Sequence, residues 1–515
     1  MAFNSVLPPQ ARAAGRPTLT VRGVAVGLLV AVGLGIALTL QVRSWTAVAV
    51  EAGGSCGSSK GISHGPCPRG TTPMLLLSFF ALFPLFPLAA VMIVRSLKAR
   101  EVARRVFGVF LLGALVAGVY PGLAIFEWAH GKTLGAVWQA PYERSGSEDA
   151  DGSWISGQTV VRARFDGLIA YDVATGHQRW TFPIPDRQVL CGMSAHLSGD
   201  IGLVAYATEN KPCDRVAAIE LGSGRALWEQ ALTSTSLSSS TSAGFVDVAG
   251  QTAVLKTSEA ITGLDLRTGV KRWSHAPGQV EESSCRFDWV GGGGDQVLTK
   301  VDCTRSAPKV RALDAATGRQ RWESPVPTRT ESINLSLLSA SPAVVQVSEG
   351  GKRGVDSVMA FDEAGRIRAT IPMLSADGET LDSSTYGFDA APVRRLIVGD
   401  GALVAATRSQ RGKYALVGYS LTDGHRLWRK SLGRNSIETV QVAGGKAYVV
   451  TGSSARPEMR TLNVPDGRQQ GGAQVLGLDR VDSDTALYVH GDHYVFVGEK
   501  GYSPWYHPVV VTKRK

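Results

Sequence analysis

The stretch Tyr171–Trp180, "YDVATGHQRW", sits inside "AYDVATGHQRW", which returns down the chain as "AIELGSGRALW" ending at Trp228, "GLDLRTGVKRW" ending at Trp273 and "ALDAATGRQRW" ending at Trp322. Looser copies are "AFDEAGRIRAT" from Ala360, "GYSLTDGHRLW" ending at Trp428 and "TLNVPDGRQQG" from Thr461. Asp172, Glu220, Asp265, Asp314, Asp362, Ser420 and Asn463 head the seven turns, at intervals of 48, 45, 49, 48, 58 and 43 residues. That period is close to the roughly 40–50 residues of one propeller blade. Alternating apolar residues lead into each copy, an Asp and a Gly make a tight turn, and a second short run ends in Trp: a hairpin pattern.

Further strand-like runs lie upstream, such as "IGLVAYAT" from Ile201 and "QTAVLKT" from Gln251. Four short antiparallel strands form a blade with two bare faces, so neighbours must stack, and even spacing with a recurring aromatic favours a ring. The expected fold class is therefore an all-β propeller preceded by three transmembrane helices. Trp138, Trp180, Trp228, Trp273, Trp322 and Trp428 are read as wedges between blades, because they recur at one strand position. After the seventh copy, "TALYVHGDHYVFVGEKGYSPWYHPVVVTK" supplies about three more strands, and "TLGAVWQAP" from Thr133 looks like a final Trp-bearing strand with no beginning. Joined, they make an eighth blade from both ends of the domain, which removes exposed sheet edges. Eight blades are favoured and seven is the alternative.

Residues 1–131 are a different material. Three uncharged apolar runs, at about 23–42, 73–94 and 106–126, are each long enough to cross roughly 30 Å of hydrocarbon. The first is alternatively a long signal peptide with "AVA" at 47–49 as its cleavage site. Arg12, Arg16 and Arg22 precede it, and Arg95, Lys98, Arg100, Arg104 and Arg105 fill the link between the second and third runs. Those basic segments belong in the cytoplasm, which places the N-terminus inside and residues 132–515 outside the cell membrane. Gly23, Gly27, Ala31 and Gly35 fall four apart and form a small-residue face for helix packing.

All six cysteines fall in segments placed outside: Cys56 with Cys67, Cys191 with Cys213, and Cys285 with Cys303. An even count in local pairs points to three disulfides, with metal binding as the rival. Residues 1–127 hold 11 Lys plus Arg against 3 Asp plus Glu, or +8 of the total +10, so the high charge reports membrane topology and is no argument for nucleic-acid binding.

The pattern A-x-D-x-x-T-G-x-x-x-W resembles the repeat of the pyrroloquinoline-quinone (PQQ)-like β-propeller family across most of residues 133–515. The resemblance implies the propeller fold. It leaves two functions open, since the family includes quinoprotein dehydrogenases holding PQQ with a divalent ion and BamB-type propellers acting as protein-binding scaffolds. The chain lacks the adjacent Cys–Cys pair of soluble alcohol-oxidising quinoproteins and has little room for long insertions. Membrane glucose dehydrogenases also resemble this layout and lack that pair.

Other motifs are sparse. His490, His493 and His507 lie near one another and read as surface or turn histidines, with a metal site as the rival. "SEDADGSW" from Ser147 lacks the full calcium-loop pattern and reads as a solvated connection; "GGGG" at 291–294 reads as a flexible turn. No catalytic residue is identified. The expectation is a scaffold with no cofactor, whose partners are the membrane and an unidentified protein or cell-wall ligand, with no nucleic acid. A PQQ-dependent membrane dehydrogenase is the alternative, and an inward-signalling sensor a third reading.

Overall fold

A computed structural model describes residues 21–51, 57–59, 62–64, 70–97, 101–130, 132–141 and 150–514, except 186, 210, 233–243, 258–259, 281–282, 305, 330–332, 350–353, 383–394, 453–456, 479–480, 482–483 and 500–506. The chain divides into two compact units, 1–133 and 134–515.

The first unit is helical: α1 (Val21–Glu51), α2 (Thr71–Leu97), α3 (Glu101–Ala117) and α4 (Val119–His130). Three spans, Arg22–Ala49, Thr71–Val94 and Gly108–His130, are long and apolar enough to cross a bilayer. The third span, expected near 106–126, has one local break, where α3 and α4 meet at Gly118, whose N–H is shared between the carbonyls of Ala114 and Leu115. The physical reason is a close crossing. A Cβ on Gly35 would lie 2.1 Å from Leu115 O, and one on Gly118 would lie 2.3 Å from Val32 O. The small residues in contact are thus Gly35 and Gly118, with Gly122 one turn on against Thr39. Leu76, Phe79, Phe80, Phe83 and Phe110 stand exposed, as apolar surface that hydrocarbon would cover.

The second unit is a propeller of eight antiparallel blades built on four strands each, the outer strands of blades 7 and 8, Gln469–Gly477 and Lys132–Gln139, being hydrogen-bonded into one eight-stranded sheet. Blade 1 runs Ala150–Ser156, Thr159–Arg164, Gly167–Asp172, Gln178–Pro183; blade 2 begins at Gln188, blade 3 at Val246, blade 4 at Ser283, blade 5 at Ile333, blade 6 at Glu379 and blade 7 at Ile437. Blade 8 takes Thr485–His490, His493–Gly498 and Val509–Lys513 from the end of the chain, and its fourth strand, Lys132–Gln139, from before blade 1. Trp138 pairs with Val511 across that seam. The first strands of neighbouring blades approach most closely and so form the hub.

Each joint between blades encloses its own apolar core. Val161, Leu190 and Ile219 fill the first joint; Trp289, Leu335 and Val345 fill the fourth. Val160, Tyr171, Val495 and Val511 fill the eighth, between blades 8 and 1. The eighth core is what makes the ring closed, because it buries the faces that an open array would leave bare. Second strands are buried along most of their length, and Thr252–Lys256 along all of it, since both faces meet a neighbouring blade.

Two local expectations are corrected. Residues 150–156 of the "SEDADGSW" stretch are the hub strand of blade 1, because Trp154 is 2 % exposed and donates its indole N–H to Ser194 O of blade 2. Gly291–Gly293 belong to the hub strand of blade 4: a Cβ on Gly292 would lie 2.2 Å from Val248 O, so the glycines permit contact with blade 3.

Candidate functional site

The ring has two rims of different character. One carries the hairpin between the third and fourth strands of each blade, and the repeat sequence determines its geometry. Asp172 Oδ1 accepts hydrogen bonds from the Ala174 and Thr175 N–H groups and from the Thr175 hydroxyl; Asp265 does the same with Arg267 and Thr268. Hydrogen bonds from the Thr268 backbone and hydroxyl, with Arg272, hold the Asp265 carboxyl down at about 2. Gly176, Gly269 and Gly318 close these turns at φ of 75°, 72° and 68°.

The Trp of one blade lies over the turn Gly of the next. Trp138 covers Gly176, Trp180 covers Gly224, Trp228 covers Gly269, Trp273 covers Gly318, Trp322 covers Gly365 and Trp428 covers Gly467. Five of these rings donate an indole N–H to the carbonyl that follows the turn's first residue: Val173, Leu221, Leu266, Ala315 and Val464, at 2.5–2.9 Å. At the equivalent strand position blade 5 has Ala369 and blade 7 has Gly471. This rim is occupied with holding the ring together.

The opposite rim collects the links between blades and the hairpins between second and third strands. Both described disulfides lie there. Cys285 and Cys303 face each other on the first two strands of blade 4, and Cys191 on the hub strand of blade 2 joins Cys213 just before its third strand. Cys56 and Cys67 lie outside the described residues. Around the blade 4 disulfide runs a charged band. Lys300 is nearly buried and reaches Asp288 at 2.9 Å and Asp302 at 3.7 Å; Lys309 and Arg311 both grip Glu323. Burial alone would raise the Glu323 carboxyl, but the Lys309 and Arg311 hydrogen bonds outweigh it and the net shift is down. Burial also lowers Lys256 and, with Arg311 beside it, His275.

Blade 6 breaks the pattern at the hub. Its first strand is in two pieces, Glu379–Leu381 and Leu396–Gly399, which pair with consecutive parts of the second strand. The flanks of the interruption are pinned: Asp382 N–H donates to Ala406 O, Ala406 N–H donates to Arg395 O, and Arg395 reaches Asp382 at 2.9 Å. Glu379 is held by a two-pronged contact from Arg429. The 58-residue interval between Asp362 and Ser420 is the trace of this insertion in the sequence.

Asp247, fully buried on the hub strand of blade 3, is taken up by the N–H groups of His196, Val248 and Gly292 and by the His196 ring at 3.1 Å. That carboxylate is the largest cause of the raised His196 pKa. Among the described residues no group of three His, Cys, Asp or Glu converges. His490 and His493 face each other at a hairpin, His493 also reaches Asp492, and His507 bonds Ala140 O. Trp154 and Trp289 were missed by the repeat reading; their indoles bond Ser194 O and Leu335 O of the next hub strand, and neither sits in a repeated motif.

Eight blades, repeat turns capped by the preceding blade's Trp, and an eighth blade closed by both ends of the domain define a propeller of PQQ-like repeats. Residues 128–290 and 357–501 match the family described as outer membrane protein assembly factor BamB, and the chain belongs to that family. No curated protein matches the chain. Among solved structures, BamB from Moraxella catarrhalis is 16% identical over 73% of this chain and 100% of its own, with a TM-score of 0.43. The quinohemoprotein alcohol dehydrogenase from Comamonas testosteroni is 11% identical over 73% of this chain and 75% of its own, at 0.44. The computationally designed Ika8 protein is 12% identical over 73% and 99%, at 0.48.

Proposed function

We propose that residues 1–131 anchor the chain in the cell membrane with its N-terminus inside, and that residues 132–515 form an extracytoplasmic docking propeller without catalytic chemistry of its own. The observation that carries this reading is the asymmetry of the rims. One rim is committed to closing the ring, while the other gathers the long links, the disulfides and the charged band on a rigid frame, an arrangement suited to recognition. The disulfides support an oxidising compartment, and the basic link between α2 and α3 supports the orientation. The partner is a protein that meets the loop rim near blades 4 to 6.

The test is site-specific photo-crosslinking in membranes. A crosslinker at Arg286, which is 75 % exposed beside the blade 4 disulfide, is expected to capture a discrete protein, and one at Val270 on the turn rim is not. Equal background labelling at both positions would sink the docking reading. Saturable PQQ binding with calcium and dye-linked turnover of an alcohol or sugar would replace it with a dehydrogenase.

A further inference from the structure

Blade 5 departs from the repeat by one residue. In blades 1, 3 and 4 the turn runs Asp172–Gly176, Asp265–Gly269 and Asp314–Gly318, whereas blade 5 has only Asp362–Gly365. Two side chains lose their partners as a result. The first is Trp322, which stacks on Phe361 at 5.5 Å and covers Gly365, yet its buried indole N–H finds no acceptor among the described residues. The second is Arg368. Its counterparts Arg179, Arg272 and Arg321 each pair with the Asp of their own turn, at 3.5, 2.5 and 2.7 Å. In blade 5 that place on Asp362 is taken by Arg366 at 2.7 Å, so Arg368 has no partner among the described residues.

Beside the shortened turn lies an open cleft of about 750 Å³ between blades 4 and 5. That is within the ~300–1,000 Å³ of small-ligand sites. Phe361, Pro342 and Ala343 give it an apolar strip, and Asp295, Arg321, Glu363 and Arg368 give it charge. Arg321 is satisfied by Asp295 and Asp314, both at 2.7 Å, and Asp362 by Arg366. The charges left over are one guanidinium, Arg368, and one carboxylate, Glu363, which also has no partner among the described residues. A simple anion would satisfy the first and be repelled by the second.

We propose that this cleft binds a short peptide with free ends, its terminal carboxylate on the Arg368 guanidinium, its ammonium on Glu363 and a side chain along Phe361 and Pro342. A planar guanidinium without a partner is suited to a carboxylate, which it grips through two parallel hydrogen bonds. The site lies on the rim opposite the proposed docking face and stands or falls independently of it.

The test is calorimetric titration of the full chain in detergent with the tripeptide Gly-Leu-Gly, its C-terminal amide and its N-acetyl form. Saturable binding of the free tripeptide is expected, weakened about 10-fold or more by either blocking group or by Arg368→Ala, because each removes one charge-assisted contact. Inserting Thr between Ala364 and Gly365 restores the common turn length, gives Trp322 its acceptor and returns Arg368 to Asp362. That variant is expected to melt higher and bind no peptide, a combination that damage to the fold does not produce. No saturable binding by the unmodified chain at ~10 mM tripeptide, a concentration at which even a weak site fills, overturns the proposal. So does equal binding of the amide, or unchanged binding by Arg368→Ala.

Discussion

Replacing Gly318 by Ala tests whether the turn glycine is required by its backbone or by the indole above it. The residue has φ of 68°, and a Cβ there would lie 2.5 Å from Cδ2 of Trp273 in the preceding blade. Gly433 offers the control: its φ is 71°, but a Cβ there meets nothing within 4 Å. The backbone cost of a left-handed Ala is ~1–2 kcal/mol at either site. Forcing Trp273 aside adds ~1–3 kcal/mol at Gly318 alone, the usual cost of overpacking. With about 2 °C of melting temperature per kcal/mol, the low end for large domains, Gly318→Ala should melt a few degrees below Gly433→Ala. Tryptophan fluorescence at one fixed scan rate reads both, since unfolding of so large a chain is compared as an operational melting point. The double variant Trp273→Ala/Gly318→Ala completes the cycle: with the ring gone, the added cost of Gly318→Ala should fall to that of Gly433→Ala. Equal melting points for the two single Ala variants would refute the wedge argument.

Three other outcomes are expected. Replacing both Cys285 and Cys303 by Ser opens a loop with a sequence separation of 18 residues, for which chain-entropy arguments give ~3 kcal/mol, so melting should fall and become insensitive to reductant. Asp265 is held at about 2 by the Thr268 hydrogen bonds. A carboxyl depressed in the folded state adds stability that is present above its unfolded value near ~3.9 and is lost as pH falls through the folded value. The melting difference between the unmodified chain and Asp265→Asn should therefore shrink between about pH 4 and 2, and a constant difference would remove Asp265 as a contributor. For topology, a membrane-impermeant reagent is expected to modify the exposed Lys513 in intact cells and to leave an N-terminal tag untouched; the reverse pattern would invert the proposed orientation.

The ring was legible because one constraint recurs. Six of the eight joints use a turn with left-handed Gly and an aromatic ring from the blade before it, so selection for closure writes the same letters every 43 to 49 residues through most of the domain. Even the split eighth blade was readable, since Trp138 stood without a hairpin ahead of it. What escaped the sequence is unrepeated or set by distant neighbours. Trp154 and Trp289 serve the hub, where the first strands have no common motif. Gly291–Gly293 read as a turn, because the nearness of Val248 on another blade has no local signature. Gly118 breaks the third apolar run through its contact with α1, which hydropathy does not record.

The two departures from the period point to the places where the chain does more than close a ring. Between Asp362 and Ser420 the interval is 58, and the surplus lies in the hub strand of blade 6, interrupted between Leu381 and Leu396. One blade earlier, the turn from Asp362 to Gly365 is one residue short, and it borders a cleft on the other rim. Neither change helps the ring. The flanks of the interruption are joined by the Asp382–Arg395 clasp, and the shortened turn leaves the Trp322 N–H buried without an acceptor among the described residues, a loss of ~1–3 kcal/mol for such a group. In a protein where most blades follow one local rule, sites that break it at a cost in stability are where function is to be sought. Restoring the common turn should then stabilise the chain while removing an activity, and a restored turn that stabilises nothing would show that the missing residue was never a cost.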